Sequence, residues 1–333
     1  MNRAQRVGWT LLGALLLVVA CAPWLAPHAA GEQLTDHAYA PPTHVRVRDA
    51  DGWHRPFIRP HVLEDRLRRV YREADTRVSV GPQGGVIVQS LAADAPLLWL
   101  GADPLGRDVF ARLLLGARWS LGVAMLGALG ALGLGALIGA AAAVAGGATE
   151  RWVMRMADAV LVLPAVYLVL ALRSLLPPVL GAGSIFALMT LLFAVAAWPH
   201  VARGVRAIVA VELTRGYVEA ARAAGASRWR LIRHVLPATR GFLGAELVLL
   251  LPGLLSAEAA ISFLGLGFPE PTPSWGTMLQ EAANVRVLTE APWMLVPAGA
   301  LFVVVLAVQL AGGGASTRAV FFDSLANHAN DPT

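Results

Sequence analysis

An all-α polytopic membrane protein with about six transmembrane helices is the fold class this sequence predicts, and three observations predict it. Of the 333 residues, 56% are hydrophobic and only 15% charged, with a mean hydropathy of +0.59. A soluble domain carries roughly 25% charged and 45–50% apolar residues. Five or six stretches also approach the length a bilayer demands, about 20 apolar residues at about 1.5 Å each across a slab about 30 Å thick. Six are read as spans, although the third is shorter and holds Asp158 and Pro164. Finally, arginine gathers in alternate loops, as the positive-inside rule requires.

The expected spans are residues 7–25, behind Arg3 and Arg6; 119–147; 156–172; 185–202; 242–266; and 293–310. With the N-terminus inside, the inner segments hold Arg3 and Arg6, then Arg151 and Arg155, then eight arginines between 203 and 240 against only Glu212 and Glu219. The short outer loops hold Arg173 and Arg286. The long segment 27–118 has twelve arginines and eleven acids, and loops beyond about 60 residues cross largely regardless of charge. An even number of spans puts both termini in the cytoplasm. The expected organisation is an N-terminal transmembrane helix (1–26), an extracytoplasmic segment (27–118), a core with five helices (119–312) carrying a cytoplasmic loop at 203–240, and a cytoplasmic tail (313–333). Val18-Val19-Ala20-Cys21 also resembles a loose lipoprotein cleavage site, but the topology works with the first segment retained.

Some chemistry is excluded outright. Arginine supplies all 27 basic residues, and without lysine there is neither a phosphate-binding P-loop nor Schiff-base catalysis. A single cysteine, Cys21, precludes an internal disulfide or a Cys-rich metal site. An intramembrane enzyme would need a zinc HExxH, a Gly-x-Ser-x-Gly elbow or paired aspartates, and none is found. A stand-alone ion-coupled transporter would be expected to show inverted repeats, and no convincing one is present.

The extracytoplasmic segment reads as a small α/β insertion. Residues 63–74 place Leu63, Leu67, Val70 and Tyr71 on one helix face. Residues 78–91, rich in Val and Ile and broken by glycines, predict a hairpin. His44, His54 and His61 lack a recognised metal spacing and are expected to be solvated.

The cytoplasmic loop is more specific. Residues 217–224 are strong helix formers stopped by Gly225, and Ser227 is placed to cap a second helix over 228–235, with Pro237 beyond it. Two readings stay open on pattern alone: a basic loop facing anionic lipid, and a docking knob for a partner. Charges inside a membrane are costly and default to functional candidates, here Asp158, Glu246 and Glu258, with a place near the inner interface the favoured alternative for Asp158 and Glu246. Pro164, Pro177, Pro178 and Pro199 are candidates for kinking or ending helices.

Three ordered blocks carry a family resemblance. The first runs Gly101-Ala102-Asp103-Pro104-Leu105-Gly106-Arg107-Asp108 and on through Gly116-Ala117-Arg118 to Ser120-Leu121. The second is Tyr217-Val218-Glu219-Ala220-Ala221-Arg222-Ala223-Ala224-Gly225, ending in His234-Val235-Leu236-Pro237. The third is Ala257-Glu258-Ala259-Ala260-Ile261-Ser262-Phe263-Leu264-Gly265, followed by Pro273-Ser274-Trp275-Gly276. They resemble permease subunits of bacterial ATP-binding-cassette (ABC) importers, in the dipeptide/oligopeptide/nickel branch, over about residues 98–312.

The resemblance implies the type I importer permease fold in the bacterial inner membrane. It implies a partnership with a second permease, two cytoplasmic ATP-binding subunits and an extracytoplasmic solute-binding protein. The second block would be the EAA loop, coupling to the ATPases through Glu219, Ala220, Ala221 and Gly225. Glu258 and Ser262 become candidates for the translocation pathway, with a structural hydrogen-bonding role the favoured alternative for Glu258. Trp275 is a candidate for contact with the binding protein or, equally, for an interfacial anchor. No cofactor, metal or catalytic residue is implied, since ATP would be held by the partners. Peptides are the leading cargo, with nickel and glutathione as alternatives.

Overall fold

A computed structural model describes residues 3–49, 51–65, 69–83, 85–92, 95–162, 167 and 180–312. Among these, five helical segments are long and apolar enough to cross a bilayer: Arg3–Ala20, Val109–Ala145, Ala182–Glu212, Arg228–Phe263 and Pro292–Gly312. They match five of the six expected spans. The remaining one, 156–172, falls mostly outside the described residues, as do Pro164, Pro177, Pro178 and the tail from 313.

The helices are α1 (Arg3–Ala20), α2 (Ala22–Leu25), α3 (Val109–Ala145), α4 (Gly147–Val162), α5 (Ala182–Glu212), α6 (Gly216–Ala223), α7 (Arg228–Val235), α8 (Arg240–Phe263), α9 (Trp275–Ala282), α10 (Val285–Glu290) and α11 (Val296–Gly312). The chain divides into two compact units. One comprises Met1–Leu12, Gly122–Glu258 and Val303–Thr333; the other comprises Gly13–Leu121 and Ala259–Phe302.

In the first unit α3 and α5 pack closely. Lipid tails are as apolar as leucine, so helices in a bilayer associate through close van der Waals contact at small residues. A Cβ at Gly135 would lie 2.5 Å from the Val201 Cβ, and one at Gly139 would lie 2.4 Å from the Ala202 carbonyl oxygen. Any larger residue would push the two helices apart. Pro199 sits inside α5 without ending it, since the helix continues to Glu212. Further along α5, Arg203 and Arg206 pair with Asp158 and Glu150 of α4. Asp158, singled out as a membrane-embedded charge, is therefore half of an interhelical ion pair.

The second unit holds the insertion, and among the described residues its regular structure is sheet with one short 3-10 turn, Thr35–His37. Strands β1 (Arg46–Asp49), β2 (Gly52–Ile58), β5 (Val78–Gln83) and β6 (Val86–Ser90) form an antiparallel sheet in the order β1-β2-β5-β6. The expected hairpin over 78–91 is the β5–β6 pair. The expected helix over 63–74 does not form. Strands β3 (His61–Asp65) and β4 (Val70–Glu73) pair there instead, with Leu63 opposite Tyr71. An isolated helix shorter than about 12–15 residues is marginal, and the strand conformation gains distant partners. The Tyr71 hydroxyl donates to the Ala38 carbonyl at 2.7 Å, and Arg46 grips both Glu73 oxygens at 2.8 and 2.9 Å. The burial of these residues alternates with period two.

Candidate functional site

The α6–α7 elbow is built on local rules. Gly225, at φ +78°, ends α6 in a left-handed turn, its amide donating to the Arg222 carbonyl at 2.9 Å while the Ala226 amide reaches back to Ala221 at 3.0 Å. These are the two bonds of a Schellman motif. A Cβ at Gly225 would meet nothing within 4 Å, so glycine is required there by backbone conformation alone. The Ser227 side chain accepts from the Arg230 amide and caps α7.

The elbow is fixed to the rest of its unit by an apolar base. Val218 of α6 and Leu231, Ile232 and Val235 of α7 are buried together with Val205 and Val209 of α5 and Ala140 and Ala143 of α3. Complete burial of such a side chain contributes about 1.5–3 kcal/mol. Glu212, at the end of α5, accepts from the Tyr217 hydroxyl at 2.8 Å and pairs with Arg215 at 3.1 Å. Burial, followed by the Glu212 carboxylate, pushes the Tyr217 phenol above its ordinary pKa.

The other face is open. Glu219, Ala220, Arg222, Gly225, Arg228, Arg230 and Arg233 are exposed, and Trp229 is 61% exposed. Ala221 turns inward and packs on the base. Of the four coupling candidates, Glu219, Ala220 and Gly225 thus reach the surface and Ala221 supports them from beneath. The elbow is a basic knob on a stiff apolar footing.

A second constellation, in the other unit, escaped the sequence reading. Asp103 takes the Leu105 and Arg107 amides on one oxygen at 2.8 and 2.9 Å and the Arg107 Nε on the other at 2.6 Å. Arg112 also pairs with Asp103, and it grips both oxygens of Glu281, on α9, at 2.8 Å. Arg107 reaches Glu281 at 2.9 Å and the exposed Glu270 at 3.2 Å. Burial opposes the charge on Arg107, but Asp103 and Glu281 outweigh it and hold the guanidinium above its ordinary pKa. Asp108 receives the Phe110 amide at the start of α3 and lies 3.0 Å from the His28 Nδ1. The spacing of 103, 107, 108 and 112 was a usable signal; the partner at 281 was not, because 169 residues separate it from Arg112.

Trp275, Glu258, Ser262 and Glu246 are all enclosed. Trp275 is only 2% exposed; its indole N–H donates to the Leu113 carbonyl at 3.0 Å and its amide to the Ser120 hydroxyl at 3.1 Å. The Trp275 side chain is thus enclosed by its own chain. Glu258 and Ser262, one turn apart on α8, are both fully buried. Glu246 is buried 3.7 Å from the exposed His200. Asp49, Asp51 and His54 bring ligand atoms within 4.8 Å of one another, yet Arg77 already pairs with both carboxylates. That cluster is an ion-paired surface.

Residues 131–313 match the family described as the binding-protein-dependent transport system inner membrane component. Over 218 residues the chain is 38% identical to a protein of Brucella ovis named as a peptide permease, covering 65% of this chain and 70% of that one. It is 34% identical over 219 residues to a glutathione transport system permease of Pectobacterium atrosepticum, covering 65% and 70%. It is 34% identical over 218 residues to an oligopeptide transport system permease of Bacillus subtilis, covering 65% and 69%.

Proposed function

The chain belongs to the inner membrane component family of binding-protein-dependent transport systems, as an ABC importer permease, and from that premise we propose that it carries peptides inward and is driven through the α6–α7 elbow. The observation that carries the coupling role is the knob itself, an exposed face of Glu219, Ala220 and Arg222 above the buried Val218 and Val235. Small alanines admit a close partner surface, Glu219 is free to pair with a basic group on it, and the apolar footing lets the knob move as a rigid body. Closure of two ATP-binding subunits would then tilt the helices between inward-open and outward-open states. The energy comes from those subunits, because this chain has no lysine for a P-loop.

A second permease would complete the pathway, and an extracytoplasmic binding protein would deliver the cargo. In this arrangement the knob and both termini are cytoplasmic, consistent with the concentration of arginine between 203 and 240. The names of two relatives support peptide as the cargo, and a third supports glutathione, itself a small peptide, as the alternative. The complete burial of Glu258 and Ser262 supports a packing role for both rather than a pathway-lining one.

The test is a disulfide crosslink. In a Cys21→Ala background, Ala220→Cys should crosslink to a cysteine in the cleft of the cognate ATP-binding subunit, and the yield should change when ATP is added. A knob that crosslinks to no ATP-binding subunit in membranes containing the whole system would overturn the reading.

A further inference from the structure

Helix α4 has one face that the fold uses and one that it leaves open. The segment from 119 to 149 holds no charged residue. Its helix, α3, ends at Ala145, and Gly146 and Gly147, at φ +63° and +59°, turn the chain directly into α4. That turn lies at the end of the apolar run, so the first turns of α4 begin at headgroup depth.

On the face toward α5, Ala157 is buried and the acids Glu150 and Asp158 are neutralised by Arg206 and Arg203. The surface that turns away from it, at about 100° per residue, carries Trp152, Arg155, Met156 and Val162, with Arg151 at its edge close to the angle of Asp158. All five are exposed, Trp152 at 63% and Val162 at 80%. The Arg155 guanidinium lies over the Trp152 ring, 5.4 Å from its centroid, a cation–π contact on the same helix. Among the described residues, neither Arg151 nor Arg155 has a carboxylate within ion-pair distance, although every acid on this helix has an arginine.

We propose that this face of α4 is a binding site for anionic phospholipid headgroups. Two guanidiniums one turn apart present forked donors that fit phosphate oxygens bidentately. Trp152 supplies the amphipathic ring that settles at the membrane interface, and Met156 and Val162 continue into acyl-chain territory. Charge complementarity selects the occupant: among the described residues the stripe carries positive charge without a carboxylate partner beside an indole, at the end of the apolar run where lipid phosphates are expected. The inference rests on α4 and its turn, so it holds whatever the cargo.

Native mass spectrometry of the full-length chain, purified with added phosphatidylglycerol or phosphatidylcholine, tests it. The wild type should retain phosphatidylglycerol in preference to phosphatidylcholine. Arg151→Gln with Arg155→Gln should weaken that retention by roughly 25-fold, about fivefold per arginine. Equal retention of the two lipids by the wild type, or unchanged phosphatidylglycerol in the double variant, would overturn the proposal. A photoreactive benzophenone side chain at position 152, used in native membranes, provides an independent readout. Lipid adducts are expected there, and adducts dominated by another protein subunit would instead mean that the stripe is a protein interface.

Discussion

Two arginine-rich regions of this chain use the same side chain for opposite ends. Around Asp103, Arg107 and Arg112 are buried and each is matched to carboxylates of Asp103 and Glu281, with Glu270 a further acid on Arg107. At the α6–α7 elbow, Arg222, Arg228, Arg230 and Arg233 are exposed above an apolar base. Buried and paired, arginine locks a loop to a distant helix, because neither partner tolerates the loss of the other. Exposed on a stiff footing, it presents charge outward. What separates the two is the availability of a carboxylate, together with the desolvation that makes pairing obligatory.

The largest effect should come from breaking the buried lock. Asp103→Ala leaves Arg107 and Arg112 short of a partner, and removing one member of a buried pair typically costs about 3–5 kcal/mol. Thermal unfolding of the purified protein should fall sharply, while Arg222→Gln on the elbow should shift it by no more than about 0.5 kcal/mol. Equal shifts for the two variants would erase the distinction.

Gly225→Val comes next. A β-branched residue at φ +78° carries strain of about 1–3 kcal/mol, with no clash to relieve. The protein should still reach the membrane, and uptake should become uncoupled from ATP hydrolysis. Normal uptake in that variant would remove the turn from the mechanism.

Tyr217→Phe deletes the hydroxyl that donates to Glu212 and should cost at most about 1.5 kcal/mol. If the elbow is rigid mainly through its apolar base, uptake will fall only slightly; a deep loss would shift the credit to the hydrogen bond.

The smallest effect is a pH response of the β insertion. Burial raises the Asp49 carboxyl, but the Asp51 amide, Arg77 and His54 outweigh it and hold its pKa below the ordinary value. A lowered native pKa means that the contribution is complete above the unfolded value of about 3.9 and disappears as pH falls through the lowered one. Protection of the β1–β2 amides in hydrogen exchange should therefore hold through pH 5 and weaken below about pH 4, and Asp49→Asn should abolish that dependence.

Legibility followed the range of the interactions. The elbow could be read because its signals are local: helix formers, a glycine at the turn and a serine cap all act within a few residues. The β3–β4 pair could not. Residues 63–74 satisfy a helical pattern, and the strand wins only through Ala38 and Arg46, which lie elsewhere in the chain. The enclosure of Trp275 was illegible for a similar reason. Its place after a membrane span suggested exposure, whereas Leu113 and Ser120, more than 150 residues earlier, enclose it.

By itself, then, the sequence determined where apolar runs are long enough to span a bilayer and where helices stop, since hydropathy and backbone preference are properties of short segments. The tertiary structure decided which arginines are locked and which are presented, and whether an ambiguous stretch becomes helix or strand. Those outcomes depend on a carboxylate or carbonyl brought close from far along the chain, and the cost of leaving a buried charge unpaired makes that meeting decisive.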